Sequence, residues 1–162
     1  MTDQRGGPQE NAGFLLWRLT MAWRAQAGAA LRPLGLTHTE YVLLALLSWH
    51  SRDGDSPTQR ELADQGGLDQ MLVSKTARAL AAAGLVVAVP DPADGRTARM
   101  ALTDDGRATF QHAAVTVGEA HQQFLAPLGE RAGAFIRDLQ QLLPATTRDP
   151  RRRARRDERT RS

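Results

Sequence analysis

The sequence predicts a mainly α-helical fold that carries one small β-hairpin. Apolar residues recur at helical spacing through most of residues 11–143, whereas residues 85–102 hold a β-branched run, a cluster of turn formers and an alternating run. Two short helical segments separated by Gly66-Gly67 come directly before this hairpin. A short glycine turn between two helices is typical of a helix-turn-helix, and a hairpin after it is typical of a wing. We therefore predict a winged helix-turn-helix flanked by long N- and C-terminal helices.

The first two helices are predicted over residues 11–31 and from Thr37 to about Trp49. Residues 11–31 are apolar around much of the helix circumference, which indicates burial on more than one side and, in a small domain, a subunit interface. Thr37 and Glu40 have the spacing of a capping box, in which each side chain accepts a backbone amide hydrogen of the other residue. This spacing places the start of the second helix at Thr37.

The helix-turn-helix is predicted over residues 58–84. Its first helix begins at Thr58, which forms a second capping box with Glu61, and its second helix runs from near Asp69 to Gly84. The second helix has a narrow apolar stripe on one side. Its other side is the candidate DNA-binding face, which consists of Gln70, Met71, Ser74, Lys75 and Arg78.

Two further helices follow the hairpin. Thr103 caps a helix that runs to about Leu125, and two carboxylates lie in its first turn, where the helix dipole favours negative charge. Pro127 interrupts the helical pattern. A last helix is then predicted over residues 129–143.

The hairpin, with Arg96 and Arg99 at or near its tip, lies within a segment that resembles the wing of the multiple-antibiotic-resistance regulator (MarR) family. The pattern of that family is Gly-Leu-Val/Ile, then Asp-Pro-x-Asp-x-Arg, then Leu-Thr-x-x-Gly. All three blocks occur here at the spacing of the family, in residues 84–86, 91–96 and 102–106. The resemblance implies a dimeric, DNA-binding transcriptional regulator, often a repressor that a small aromatic ligand releases.

The resemblance also implies that Asp94 fixes the turn of the wing and orients an arginine by an ion pair. Family members commonly carry basic residues where this chain has Ala88 and Val89, and Gly95 occupies a position that is often arginine. We therefore expect this wing to contribute less to DNA affinity than is usual in the family.

Predicted contacts with double-stranded DNA lie on the second helix of the motif, on the wing and at the start of the first motif helix. Gln70 can pair with adenine edges, and Lys75 or Arg78 can reach guanine or phosphate. Arg96 can enter the narrow minor groove, and a helix N-terminus near Arg60 can hold a phosphate. The full predicted set is Arg60, Gln70, Met71, Ser74, Lys75, Arg78, Asp94, Arg96 and Arg99. The alternatives are a solvated helix face, a plain loop closure at the wing and a plain helix cap.

Aromatic residues and their neighbours form a candidate pocket for a small-molecule effector. In proteins that resemble this one, ligands lodge where the dimer helices meet the winged unit, so we expect a pocket there. The candidate residues are Trp17, Met21, Tyr41, Trp49 and His50. For any single member of this set, core packing is the alternative interpretation.

The domain prediction is a single MarR-like domain over residues 11–144, with the winged helix-turn-helix at about 37–103 and dimerisation helices at 11–31 and 104–143. We expect a disordered N-terminus over 1–10 and a disordered arginine-rich tail over 145–162. Residues 148–162 hold eight arginines and three acidic residues, a net +5, so the rest of the chain carries −2 of the total charge of +3. Overall basicity is therefore weak support for nucleic-acid binding, although the tail can add salt-sensitive attraction to DNA or serve only solubility.

Several classes of function are disfavoured by what the sequence lacks. The chain has no cysteine, which excludes disulfides and thiol redox sensing, and its four histidines form no metal-binding motif, so we expect neither metal nor cofactor. It shows no nucleophile elbow or phosphate loop, which disfavours an enzyme. It has no apolar run that could span a membrane and no signal peptide, so we expect a cytoplasmic protein without a membrane partner.

The function predicted from these observations and from the resemblance is sequence-specific repression of transcription by a homodimer, with release by a small aromatic or lipophilic ligand. A two-fold axis would set two recognition helices about 34 Å apart, which predicts a pseudo-palindromic operator. The alternative is an architectural or protein-interaction winged-helix protein that has no ligand control. Sequence-specific binding distinguishes the two hypotheses.

Overall fold

The protein is described here by a computed structural model that covers residue 7 and residues 10–91, 94 and 97–143. The fold is mainly helical with one two-stranded antiparallel sheet, which confirms the predicted fold class. Its regular elements are α1 (Ala12–Leu31), α2 (His38–Ser51), α3 (Gln59–Gly66), α4 (Gln70–Ala82), β1 (Val86–Pro90), β2 (Ala98–Leu102), α5 (Asp104–Leu125) and α6 (Ala132–Leu142). The predicted arginine-rich tail lies outside the described residues, and so does most of the predicted disordered N-terminus. Among the helices described, none has the length and apolarity needed to span a membrane.

Both predicted capping boxes are present. The amide of Glu40 donates to the hydroxyl of Thr37 over 3.2 Å, and the amide of Thr37 donates to the Glu40 carboxylate over 2.7 Å. Thr58 and Glu61 make the same two bonds at the start of α3, with the same lengths. These bonds satisfy amides that have no partner within the helix, so α2 and α3 start where the sequence predicts.

One hydrophobic core joins the helix-turn-helix to the long helices. Its largest fully buried side chains come from α1 to α4 and include Leu31, Leu43, Leu44, Leu47, Leu62, Val73 and Leu80. Val86 and Leu102 close the core from the sheet, and Ala113 and Val117 close it from α5. Each buried leucine or valine side chain contributes about 1.5–3 kcal/mol, so this core is what holds α3 and α4 in place.

The wing is an antiparallel pair in which Val86 lies opposite Leu102 and Pro90 lies opposite Ala98. β2 also pairs with the segment before α3, because the amide of Met100 donates to the carbonyl of Pro57 over 2.8 Å. The wing is therefore bonded to the start of the helix-turn-helix through the backbone as well as through the core.

The start of α5 is packed tightly against the chain between α4 and β1. The Thr103 hydroxyl donates to the carbonyl of Gly84 over 2.7 Å, and the Thr103 amide donates to the carbonyl of Leu85 over 3.1 Å. A Cβ atom at residue 106 would lie 1.9 Å from the carbonyl oxygen of Leu85, so only glycine fits at Gly106. This close approach explains the threonine and the glycine of the Leu-Thr-x-x-Gly block.

The last helix begins later than predicted. Gly129 has φ of 52° and ψ of −131°, which is not helical, and a short 3₁₀ helix over Ala126–Arg131 precedes α6. The predicted start at residue 129 was therefore wrong, and α6 starts at Ala132. Residues described in α6 contribute no buried side chain.

The apolar surface of α1 is divided between the core and solvent. Ala27 and Leu31, in its C-terminal half, are fully buried in the chain. Its N-terminal half exposes large apolar side chains by 37% to 57%, namely Leu15, Leu16, Trp17, Leu19 and Met21. The single chain thus buries only part of the surface that the sequence marked as interior.

Candidate nucleic-acid interface

α4 has one buried face and one exposed face, as its sequence predicts. Val73, Thr76, Ala77 and Leu80 are buried. On the other side Ser74 is half-buried, whereas four residues are exposed, namely Gln70, Met71, Lys75 and Arg78. The buried face fixes the helix on the core, so the exposed face is presented by a rigid element.

The turn between α3 and α4 is short, and both helix ends that flank it are capped. Gly67 ends α3 in the left-handed conformation with φ of 59°, which glycine adopts without steric cost. Asp69 then caps α4, because its Oδ1 accepts the amides of Met71 over 2.9 Å and Leu72 over 3.1 Å. These features are those of a helix-turn-helix, with α4 as its second, recognition helix.

The start of α3 has fewer groups available to hold a phosphate than the sequence prediction allowed. The hydroxyl of Thr58 already accepts one hydrogen bond from the Glu61 amide and donates to the Glu61 carboxylate over 3.0 Å. Arg60 is exposed. A phosphate at this helix end would therefore be held by Arg60 and backbone amides, not by the threonine side chain.

Arg99 lies near the tip of the wing, as predicted, but its side chain is turned towards the protein. It is within β2 opposite Val89, and its side chain is only 25% exposed. Its Nε donates to Oδ2 of Asp91 over 2.6 Å, and its Nη1 donates to the carbonyl of Ser56 over 2.7 Å. The guanidinium therefore connects the end of β1 to the segment before α3, and it is directed at protein groups.

The charge of Arg99 is surrounded by three carboxylates. Besides the bond to Asp91, its Nη1 lies 3.7 Å from Oε2 of Glu61 and 3.8 Å from Oδ1 of Asp55. Burial alone lowers the pKa of Arg99, but the hydrogen bond to Asp91 and the charges of Glu61, Asp91 and Asp55 outweigh it and raise that pKa above its ordinary value. We refer to these four residues as the Arg99 cluster. It fixes the wing on the helix-turn-helix.

Asp94 closes the turn of the wing. Its carbonyl accepts the amide of Thr97 over 2.9 Å, and its Oδ2 accepts the Thr97 hydroxyl over 3.0 Å. Arg96 lies outside the described residues. Its minor-groove contact and its ion pair with Asp94 therefore stay predictions.

The five residues predicted to form an effector pocket are spread over two helices, with Trp17 and Met21 in α1 and Tyr41, Trp49 and His50 in α2. Tyr41 stacks on Phe110, with ring centroids 6.0 Å apart, whereas Trp23 packs edge-on against Phe124 at 5.4 Å. Those two phenylalanines are fourteen residues apart in α5, about 21 Å along the helix. Trp17 and Met21 precede Trp23 in α1 and lie towards the far end from Tyr41, so the predicted set is divided.

His50, also predicted to line that pocket, is instead part of the packing between α2 and α3. It is buried, its Nδ1 lies 2.9 Å from Oδ2 of Asp55, and its Nε2 lies 2.9 Å from Oε1 of Gln65. Trp49 packs edge-on against it, with ring centroids 5.1 Å apart. Both ring nitrogens are therefore engaged by protein groups, and core packing explains this residue.

A shallow depression lies elsewhere, between the short helix after α1 and the first half of α5. It is lined by Leu34, Ala108, Thr109 and His112. No pattern in the sequence marked these residues as a group, because they come from segments more than seventy residues apart.

Comparison with known proteins identifies the family. A family model described as MarR family matches residues 34–97, which include α2, the helix-turn-helix and β1. The HTH-type transcriptional regulator YdcH of Bacillus subtilis, itself uncharacterized, is 33% identical over 137 residues, which cover 85% of this chain and 92% of YdcH. The chain belongs to the MarR family.

Solved structures of MarR family members share the fold. The MarR family protein Rv2887 of Mycobacterium tuberculosis, in complex with DNA, is 31% identical with a TM-score of 0.66, over 83% of this chain and 98% of that one. Rv2887 has also been solved with salicylic acid. CouR from Rhodococcus jostii RHA1, bound to p-coumaroyl-CoA, is 29% identical with a TM-score of 0.73, over 83% of this chain and 92% of that one. The MarR member described here is a DNA-binding transcriptional regulator, and YdcH is likewise named a transcriptional regulator.

Proposed function

We propose that this MarR member is a homodimeric repressor that binds a pseudo-palindromic operator and is released by a small-molecule effector. The observation that carries the proposal is the exposed face of α4, which is held rigidly by the opposite, buried face. In this proposal α4 enters the major groove, Gln70 and Ser74 approach base edges, and Lys75 and Arg78 contact guanine or phosphate. Arg60 contacts a phosphate beside the groove.

The proposed dimer is supported by the apolar surface that one chain leaves uncovered. The N-terminal half of α1 exposes five large apolar side chains, and Leu142 in α6 is 73% exposed. Such surface costs about 25 cal/mol for each Å² left in water, so a second copy that covers α1 and α6 stabilises both chains. A two-fold arrangement then sets two copies of α4 about 34 Å apart, on successive major grooves.

The proposed effector is a small aromatic acid or a derivative of one. This chemistry is supported by the salicylic acid bound to Rv2887 and by the p-coumaroyl-CoA bound to CouR. We place the candidate site where the long helices meet the winged unit, with Tyr41 and Trp49 of the predicted set as candidate contacts. A ligand there weakens DNA binding if it binds more tightly to a conformation in which the two copies of α4 are wrongly spaced.

The operator is tested by selection from random duplex DNA, followed by titration of the selected site and a scrambled duplex at physiological salt. We expect a pseudo-palindrome that is bound at least ~10³-fold more tightly than the scramble. Lys75→Ala is expected to weaken binding about tenfold, whereas Arg52→Ala, which removes an exposed charge from the loop after α2, should not. Equal affinity for the two duplexes would refute the proposal and favour the architectural alternative.

Assembly and release need separate measurements. Sedimentation equilibrium is expected to give a dimer for the full chain and a monomer for Leu16→Asp, because a carboxylate would be buried in the proposed interface. Salicylate or p-coumaroyl-CoA is expected to release the operator at constant salt. A monomeric wild-type chain would contradict the dimer, and undiminished operator binding with both ligands would contradict the proposed effector class.

A further inference from the structure

The residue of α4 that projects most directly away from the core is apolar. Met71 is 81% exposed, more than any other exposed large hydrophobic residue in the described part of the chain. Nine residues at 100° each place it about 180° around the helix from Leu80, which is 1% exposed. Met71 therefore lies on the outermost line of the recognition helix, and no residue in the described part of the chain covers it.

The neighbours of Met71 determine what kind of surface can cover it. Lys75 and Arg78 lie four and seven residues further along α4, about 40° and 20° to either side of Met71, and both are exposed. A purely apolar protein surface would desolvate these two cations without pairing them, which is costly. The partner must offer an apolar group embedded in negative charge.

DNA offers such a group in one place. The C5-methyl of thymine is the apolar group on the floor of the major groove, and phosphates line the groove on both sides. We propose that Met71 reads thymine in the operator through this methyl group, with Lys75 and Arg78 on the flanking phosphates or guanines. This inference rests on the proposed function, since it requires α4 to lie in the major groove.

Two further features suit Met71 to this contact. Residues in the N-terminal turn of a recognition helix are the ones that reach base edges, and Met71 is the second residue of α4. Its amide is fixed by the Asp69 carboxylate over 2.9 Å, so the backbone is positioned while the unbranched side chain keeps its freedom to adapt to a methyl group. Leu72 is 40% exposed but lies about 100° around the helix, away from this line.

The test removes the methyl group from the DNA and the side chain from the protein. In the selected operator, each symmetric pair of thymines is replaced in turn by deoxyuridine, which lacks only the C5-methyl. Wild-type protein is expected to lose about fourfold in affinity per half-site at one pair of positions, the effect of one buried methyl group. Met71→Ala is expected to bind the thymine operator more weakly and to bind the thymine and uracil operators equally at that pair.

Matched variants separate this contact from other effects. Leu72→Ala should keep the full loss on uracil substitution, because Leu72 is off the contact line. Met71→Leu should still lose some affinity when uracil replaces thymine, because an apolar side chain remains at this position. Equal binding of thymine and uracil operators by the wild-type protein at every position would overturn the inference while leaving the proposed function intact. The inference would also be overturned if Met71→Ala kept the wild-type discrimination, or if no operator were selected, in which case the proposed function would fail with it.

Discussion

Replacing Arg99 by methionine is expected to remove the side-chain link between the wing and the helix-turn-helix and to lower the stability of the whole domain. The substitution keeps an unbranched, apolar stem and removes the guanidinium. It therefore breaks the bonds from Nε to Asp91 and from Nη1 to the carbonyl of Ser56, which are 2.6 and 2.7 Å long. The perturbation is confined to the Arg99 cluster, because the backbone pairing of β1 with β2 does not depend on this side chain.

The size of the effect follows from how exposed each partner is. The side chains of Arg99 and Asp91 are 25% and 9% exposed, so their charged hydrogen bond is largely shielded from water and contributes about 1.5–3 kcal/mol. The bond to Ser56 contributes about 1 kcal/mol more. Glu61 and Asp55 are 45% and 51% exposed and at least 3.7 Å away, so they contribute little. The expected loss in the free energy of unfolding is about 2.5–4 kcal/mol.

Urea denaturation at one fixed protein concentration measures this loss, since the stability of a dimer depends on concentration. Arg99→Lys keeps the charge but cannot make both bonds at once, so it should lose about half as much. Arg52→Met removes an exposed arginine and is the control. If Arg99→Met unfolds at the same urea concentration as the wild type and Arg52→Met, the cluster does not hold the wing and the reasoning fails.

Three further predictions concern helix ends and pH. Gly106→Ala should lower the free energy of unfolding by about 3 kcal/mol in a urea titration, because the added Cβ would meet the Leu85 carbonyl. Gly118→Ala is the control, since the space around Gly118 is open and the substitution should not destabilise the protein. Equal effects of the two substitutions would contradict this prediction. Asp69→Ala should lower the free energy of unfolding by about 1 kcal/mol, because it removes the cap of α4. Asp69→Asn should keep most of the wild-type stability, because asparagine also caps helices. An equal loss in the two variants would count against the cap. Partial burial lowers the pKa of His38 from 6.5, so the unfolded chain binds the proton more readily and stability falls as the pH drops below that value. His38→Gln should reduce this slope of unfolding free energy against pH, and an unchanged slope would refute the assignment.

Features with local causes were predictable from the sequence. Thr37 with Glu40 and Thr58 with Glu61 each form a capping box within four residues, so the starts of α2 and α3 could be placed from spacing alone. The same holds for Thr103 at the start of α5. The two faces of α4 could be predicted because helical periodicity fixes which residues share a side.

Features that depend on distant residues could not be predicted. The bond from Arg99 to the carbonyl of Ser56 joins residues 43 apart, and the alternating pattern of β2 shows only that Arg99 lies in a strand. His50 looked available as a ligand-binding residue, because its contact with Gln65, fifteen residues later, has no sequence signal. The start of α6 was misplaced for a different reason, since Gly129 marks a turn as readily as a helix end.

The tight joint between Thr103, Gly106 and the chain after α4 makes α5 a lever arm. Its 22 residues span about 33 Å, and only its first turn is joined to the root of the wing. Because Ala113 and Val117 also hold α5 on the core, α5 and the winged unit turn as one body, and a rotation of about 5° about that joint carries the far end of α5 through about 3 Å. In the proposed dimer, a given rotation of the DNA-binding surface therefore displaces the far end of α5 much more than its first turns. A ligand that moves the far end has a wide range of displacement to act through, whereas a ligand bound close to the joint must control the rotation through very small movements.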